Sequence, residues 1–224
     1  MATLSGVTPP YPSYNFDDTM PPPPIFTNEM YGNDVEDDCV IAARAHQTVR
    51  FVWKSKARVP TIFPTDVTNQ YANETRGKTG LLLTDSLNEW RDTGWTFGSD
   101  TNVHRIASRS DSYSIDGGKF PVTDPTMVLN QQQLQTLIYI SVGVQINLAL
   151  PQNVGFGHQG TFGPGNPWLG TSNSRGKLHV MLLTGYVADT FVGITWAQRQ
   201  EMDWAFLEGH CWGVFTVEPN DSTY

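Results

Sequence analysis

The sequence predicts an α+β domain, with a helical half first and a strand-rich half after it. Residues 41–58 repeat apolar side chains at helical spacing, whereas residues 178–186, 191–196 and 212–217 read as strands with no alternating strand–helix units between them. The 224 residues include 39% hydrophobic and 12% aromatic side chains, which is enough to core one domain carrying an arm and excludes global disorder.

The first 24 residues hold seven of the 15 prolines and no Lys or Arg. Proline lacks an amide donor and fixes φ, so residues 1–30 are expected to form an extended arm, partly polyproline II. Two readings stay open: a disordered tail, or a strap anchored by Tyr11, Tyr14, Phe16, Ile25 and Phe26. In the strap reading, Tyr11, Tyr14 and Phe16 are expected to bury against another protein, giving particle assembly through residues 1–24. Residues 31–217 are expected to close their own core, and residues 218–224 to form a polar tail.

Charge switches sign at residue 40: residues 1–40 carry seven acids and no base, and residues 41–60 carry Arg44, Arg50, Lys54, Lys56 and Arg58 with no acid. That gradient suits one helix with Asp37 and Asp38 at its positive end, and Ile41, Ala45, Val49 and Val52 supply one buried face. A second helix is expected near Thr65 and Asp66. A third is expected near Thr84, where Ser86 and Glu89 have capping-box spacing and Gly94 offers a stop. Residues 95–129 read as loop with a short strand near 103–107. Asn130 caps a helix through Leu134, Leu137 and Ile138, and Val144, Ile146 and Leu148 then alternate as a half-buried strand does. The glycines of residues 151–176 mark a long loop, whose Phe156, Phe162 and Trp168 suit a wall of a cleft.

A formal charge of -8 argues against a general role on nucleic acid or anionic membranes. No apolar run reaches the roughly 20 residues of a membrane span and no signal core is evident, so the chain is expected to be soluble and unexported, in the cytoplasm or a virion. Cys39 and Cys211 could pair, but such a compartment favours free thiols. His104, His158 and His210 show no metal-ligand spacing with Cys211, and no metal or cofactor is expected.

The segment from Gly32 to Ala43 places Cys39 at the first turn of the helix, where unpaired amides and the dipole lower a thiol's pKa, while Glu36, Asp37 and Asp38 raise it. Asn33, six residues earlier, is placed to fold back as an oxyanion donor. His179 begins an apolar strand that ends in Gly185 and Tyr186. Taken together, the order of amide residue, Cys at a helix start, distant His on a strand ending Gly-Tyr, and a strand closing on Trp196 resembles the papain-like cysteine peptidases. The likeness spans roughly residues 30 to 217. The chain is more similar still to uncharacterised bacterial and phage proteins with a Gly-Asn-Asp…Asp-Cys helix start and a Thr-Trp…Met-x-Trp-Ala-Phe ending, here Thr195-Trp196 and Met202 to Phe206.

That resemblance implies a papain-like fold in which the Cys39 helix packs on an antiparallel β half. It implies a site of Cys39, His179, Asn33 and Thr195. Asn33 stands where the family has Gln, and Thr195 is the residue near the family's Asn position able to hydrogen-bond an imidazole. Two functions follow: a thiol hydrolase acting on a peptide-like substrate, or a non-catalytic structural or binding subunit of a phage particle attached by its arm.

Overall fold

The charge switch at residue 40 marks the longest helix of the computed structural model, which describes residues 9, 11–21, 29–34, 36–119, 128–155, 157, 158, 160–170 and 176–224. Helix α1 runs Cys39–Lys56 and ends on Ala57 in the left-handed region. Every residue from Val40 to Val52 is buried, so the helix has no solvent face over its first three turns. The single buried face expected from Ile41, Ala45, Val49 and Val52 is therefore corrected: α1 is enclosed by other elements on all sides there. Its charged residues are paired rather than solvated. Arg44 meets Glu74 of α2 (Pro64–Thr75) at 2.7 Å, donates to the Ser86 carbonyl of α3 (Leu83–Asp92) at 2.7 Å and lies over the Trp90 ring. One guanidinium thus joins three helices.

Ser86 is an interior residue of α3, hydrogen-bonded to Arg44, and the N-cap is Leu82, so the predicted capping box does not form. The helix does stop ahead of Gly94, whose amide donates to the Glu89 carbonyl. Residues 95–129 hold more strand than expected: β2 (Trp95–Phe97), β3 (Asp100–His104), β4 (Ile106–Arg109), β5 (Ser114–Ile115) and β6 (Val128–Leu129). Asn130 caps α4 (Gln131–Ile140) with a reciprocal Gln133 bond.

The β half is one antiparallel sheet in the order β10-β9-β8-β7-β11, made of β7 (Val144–Ala149), β8 (Leu178–Val187), β9 (Thr190–Thr195), β10 (Gln198–Asp203) and β11 (Cys211–Phe215). One core cluster joins α1, α2 and α3 to Val180, Ile194 and Phe215. A second joins α4 and α5 (Trp204–His210) to Met181, Leu183 and Phe191. Both faces of the sheet are covered, which is why Val180–Leu183 is an unbroken apolar run and why β7 is not the half-buried strand its alternation suggested. Strand β10 and helix α5 were not expected.

The arm is part of this domain. Strand β1 (Ser13–Asn15) pairs antiparallel with β8 at Gly185–Val187, continuing the edge that β7 occupies from Leu178 to Leu183. A Cβ on Gly185 would lie 2.5 Å from the Tyr14 carbonyl, so the close approach requires glycine. Phe16 and Met20 enter the first core cluster, and Tyr14 packs edge-on against Tyr139. Asp17 accepts from Arg50 Nε at 2.8 Å and from the Thr184 hydroxyl at 3.1 Å. The expectation that Tyr14 and Phe16 bury against another protein is overturned, because the β8 edge and the buried Arg50 are sockets within the chain. Tyr11 is exposed, though its carbonyl accepts from the Tyr186 hydroxyl; Ile25 and Phe26 lie outside the described residues. At the other end, β12 (Val217–Pro219) pairs with β4, and Tyr224 is buried against Phe51. Residues 218–224 are polar and mostly at the surface, with Tyr224 as the buried anchor. Among the described residues no helix is long and apolar enough to cross a membrane.

Candidate active site

Cys39 is the first residue of α1, so its amide is among the helix-start donors that have no acceptor within the helix. His179 is the second residue of β8 and is buried. Both line two adjoining cavities at the seam between the helical and β halves. The thiol faces the start of β8, where the Val180 amide favours its ionised form.

Thr195, the last residue of β9, places Oγ1 2.5 Å from His179 Nε2. Trp196 then turns into the left-handed region (φ 44) and stacks on the imidazole at 4.2 Å between centroids and 19° between planes. The loop after β7 backs this ring: Phe162 and Trp168 meet Trp196 edge-on, and a Cβ on Gly155 would come within 2.6 Å of the indole. Phe156 lies outside the described residues. Asn33, half-buried in the turn ahead of α1, lines the first cavity with Cys39 and His179. The structure therefore brings Cys39, His179, Thr195 and Asn33 to one seam.

Burial dominates the electrostatics. It pushes the Cys39 thiol up to about 11, with Asp38 and Asp37 adding to the rise, while the Val180 amide and Lys177 work against it. His179 is pushed down to about 3, first by burial and then by Lys177. The helix start does not deliver a lowered thiol pKa here, and desolvation, more than the acidic flank, is the reason. With the thiol at about 11 and the imidazole at about 3, both groups are uncharged at neutral pH.

Two features of the site were not singled out from the sequence, and a third, Asp38, was read only for its charge. Lys177 stands two residues before His179 and reaches Asp37 Oδ1 across the seam at 2.5 Å. Leu81, Leu82 and Leu83 join Leu148, Val180 and Trp212 in walling the second cavity, about 570 Å³ in volume; an apolar triplet ahead of a helix was the available signal. Asp38 is completely buried with neither carboxylate oxygen hydrogen-bonded among the described residues, and burial, then Glu36, raises it to about 7. Both cysteines are free, and among the described residues no three His, Cys, Asp or Glu side chains converge as metal ligands.

Two solved structures share this architecture. Xylellain, a cysteine protease from Xylella fastidiosa, superposes with a TM-score of 0.62 at 11% identity, covering 97% of this chain and 89% of its own. The Carica candamarcensis cysteine protease CMS1MS2, solved in complex with E-64, gives a TM-score of 0.58 at 10% identity, covering 94% of this chain and 99% of its own. No protein-family model matches the chain, nor does any curated protein sequence, so the likeness rests on structure. The chain has an α+β papain-like fold, in which the helix bearing Cys39 packs on the antiparallel sheet.

Proposed function

We propose that the protein is a thiol hydrolase that cleaves an amide or ester bond in a peptide-like substrate. The observation that carries this reading is the 2.5 Å contact of His179 Nε2 with the Thr195 hydroxyl, because it occupies one ring nitrogen and leaves the other for the thiol. In the tautomer whose Nε2–H donates to that hydroxyl, Nδ1 is the unprotonated nitrogen that takes the thiol proton. Sulfur attacks the carbonyl carbon as its proton passes to His179. The resulting oxyanion is met by the Cys39 amide and by Asn33. The imidazolium then protonates the leaving amine or alkoxide as its bond to carbon breaks. Water attacks the thioester with His179 taking its proton, the carbon–sulfur bond breaks to release the acid, and the imidazolium returns the proton to sulfur.

A neutral resting pair suits this order of events, since the proton moves only during attack. The apolar cavity beside Cys39 favours substrates with an apolar side chain near the scissile carbonyl. The likeness to two cysteine proteases supports the assignment at the level of fold; activity rests on the site. Tyr14, Phe16 and Asp17 of the arm pack on the chain's own sheet and on Arg50, which favours the hydrolase reading over attachment through those residues.

The test is hydrolysis of peptides carrying leucine or phenylalanine near the cleavage point, followed by mass spectrometry with the wild type, Cys39→Ala and His179→Ala. Cleavage by the wild type alone is expected. Cleavage that persists in Cys39→Ala would assign the activity elsewhere, and folded wild type that cleaves neither peptides nor activated esters would overturn the proposal.

A further inference from the structure

The two cavities at the seam have different walls. One, about 340 Å³, is mixed, with Asn33, Asp34, Glu36 and His158 facing Pro151, Val154 and Trp196; the other is the apolar one of Leu81, Leu82, Leu83 and Trp212. The residues common to both are Asp37, Cys39, Lys177 and His179, that is, the thiol, the imidazole and one ion pair. Asp37 belongs to the turn ahead of α1 and Lys177 to the approach to β8, so their 2.5 Å contact ties the two walls together where the cavities meet.

We propose that the Asp37–Lys177 bridge is a bar across the cleft. Closed, it divides the space and admits only a short ligand to the sulfur; open, it merges the cavities into a trough that takes an extended peptide past Cys39. Opening leaves a carboxylate on one wall and an ammonium on the other, and a peptide backbone satisfies both, offering an amide N–H to Asp37 and a carbonyl to Lys177. Both partners are more than half exposed, at 54% and 74%, so the bridge is weak and screened by salt and can yield to a substrate. The inference deepens the hydrolase reading by making extended chains the substrate class, but its test reads access to the sulfur and needs no turnover.

The full-length protein is alkylated with iodoacetamide and, separately, with an uncharged tetrapeptide carrying the same iodoacetyl group, and the rate at Cys39 is followed by peptide mass mapping. Taking the ratio of the long to the short reagent removes any change in thiol ionisation. In the wild type this ratio is expected to rise about two- to fivefold from 10 mM to 0.5 M NaCl, the range an exposed pair can supply. Asp37→Asn and Lys177→Gln should show the high ratio already at 10 mM with no salt dependence, and the exchanged pair Asp37→Lys with Lys177→Asp should restore the wild-type response. A ratio that is the same in the wild type and both single variants at every salt concentration would overturn the bar. Peptide turnover alongside that result would leave the hydrolase reading standing, and absent turnover with the expected ratios would remove the hydrolase while keeping the bar.

Discussion

His179 has Thr195 on one ring nitrogen, Trp196 against its face and Lys177 two residues away, and the three act on it differently. Burial and then Lys177 keep the ring neutral, Trp196 covers its face, and Thr195 holds Nε2. Thr195→Val should lower kcat by about 2- to 12-fold with KM little changed, the worth of one hydrogen bond, and Thr195→Ser should restore it. Equal activity in all three would show that the ring needs no partner there. Because burial holds the thiol at about 11, alkylation of Cys39 by iodoacetamide should climb about tenfold per pH unit from pH 6 to 9, following the thiolate fraction. A plateau over that range would mean that the pair is ionised at rest. Asp38 makes a third case. Its folded value of about 7 exceeds the ordinary 3.8, so its stabilising contribution is complete below pH 4 and is lost as pH rises to 7. His46 and His179, both held near 3, contribute in the opposite sense, their share being lost as pH falls from 6.5 to 3. Asp38→Asn isolates the carboxyl: its melting temperature should match the wild type at pH 4 and exceed it at pH 8, and an equal offset at both would refute the assignment. Cys39 at a helix start and His179 at the start of an apolar strand stand at positions readable locally, whereas Thr195 was reached only through the family resemblance. Asp38 was not legible, since an acid run ahead of a helix reads the same whether solvated or enclosed.

Elements were legible where one period dominates and obscure where partners decide. Asn130 announces α4, and the apolar run at Val180 announces β8, since both signals are local. Strand β10 is polar along most of its length, with Arg199 and Glu201 at a sheet edge, and α5 has only seven residues; neither carries a period that stands out. The arm was misread for a related reason: its prolines flank Ser13-Tyr14-Asn15 without falling inside it, so three residues remain free to pair with β8. The enclosure of α1 likewise depends on distant carboxylates, Glu74 for Arg44 and Asp17 for Arg50, that spacing cannot reveal. Asp17→Ala removes the carboxylate from a buried guanidinium and should cost about 3–5 kcal/mol in denaturant unfolding. Deleting residues 1–20 should cost at least as much. A loss under about 1 kcal/mol in either variant would mean that the strap lies on the domain without holding it.

Across the whole molecule, a helical half that presents Cys39 from the start of a buried helix meets a sheet that presents His179 from the start of its central strand. Both side chains line the cavities at the seam between the halves, so the fold positions the pair and the loop after β7 walls it. Fold alone leaves chemistry undecided, because the same architecture could hold a ligand without cutting it. What separates the two outcomes is a covalent bond at sulfur. The most direct measurement is intact-mass and peptide-mass analysis after mixing the protein with a p-nitrophenyl ester of an N-blocked leucine. A burst of about one equivalent of nitrophenolate should accompany an acyl adduct on Cys39, with neither formed in Cys39→Ser and both slowed by orders of magnitude in His179→Ala. Wild-type protein that forms no adduct, or that acylates Cys39 as fast without His179 as with it, would contradict the assignment of this pair as a nucleophile and its base.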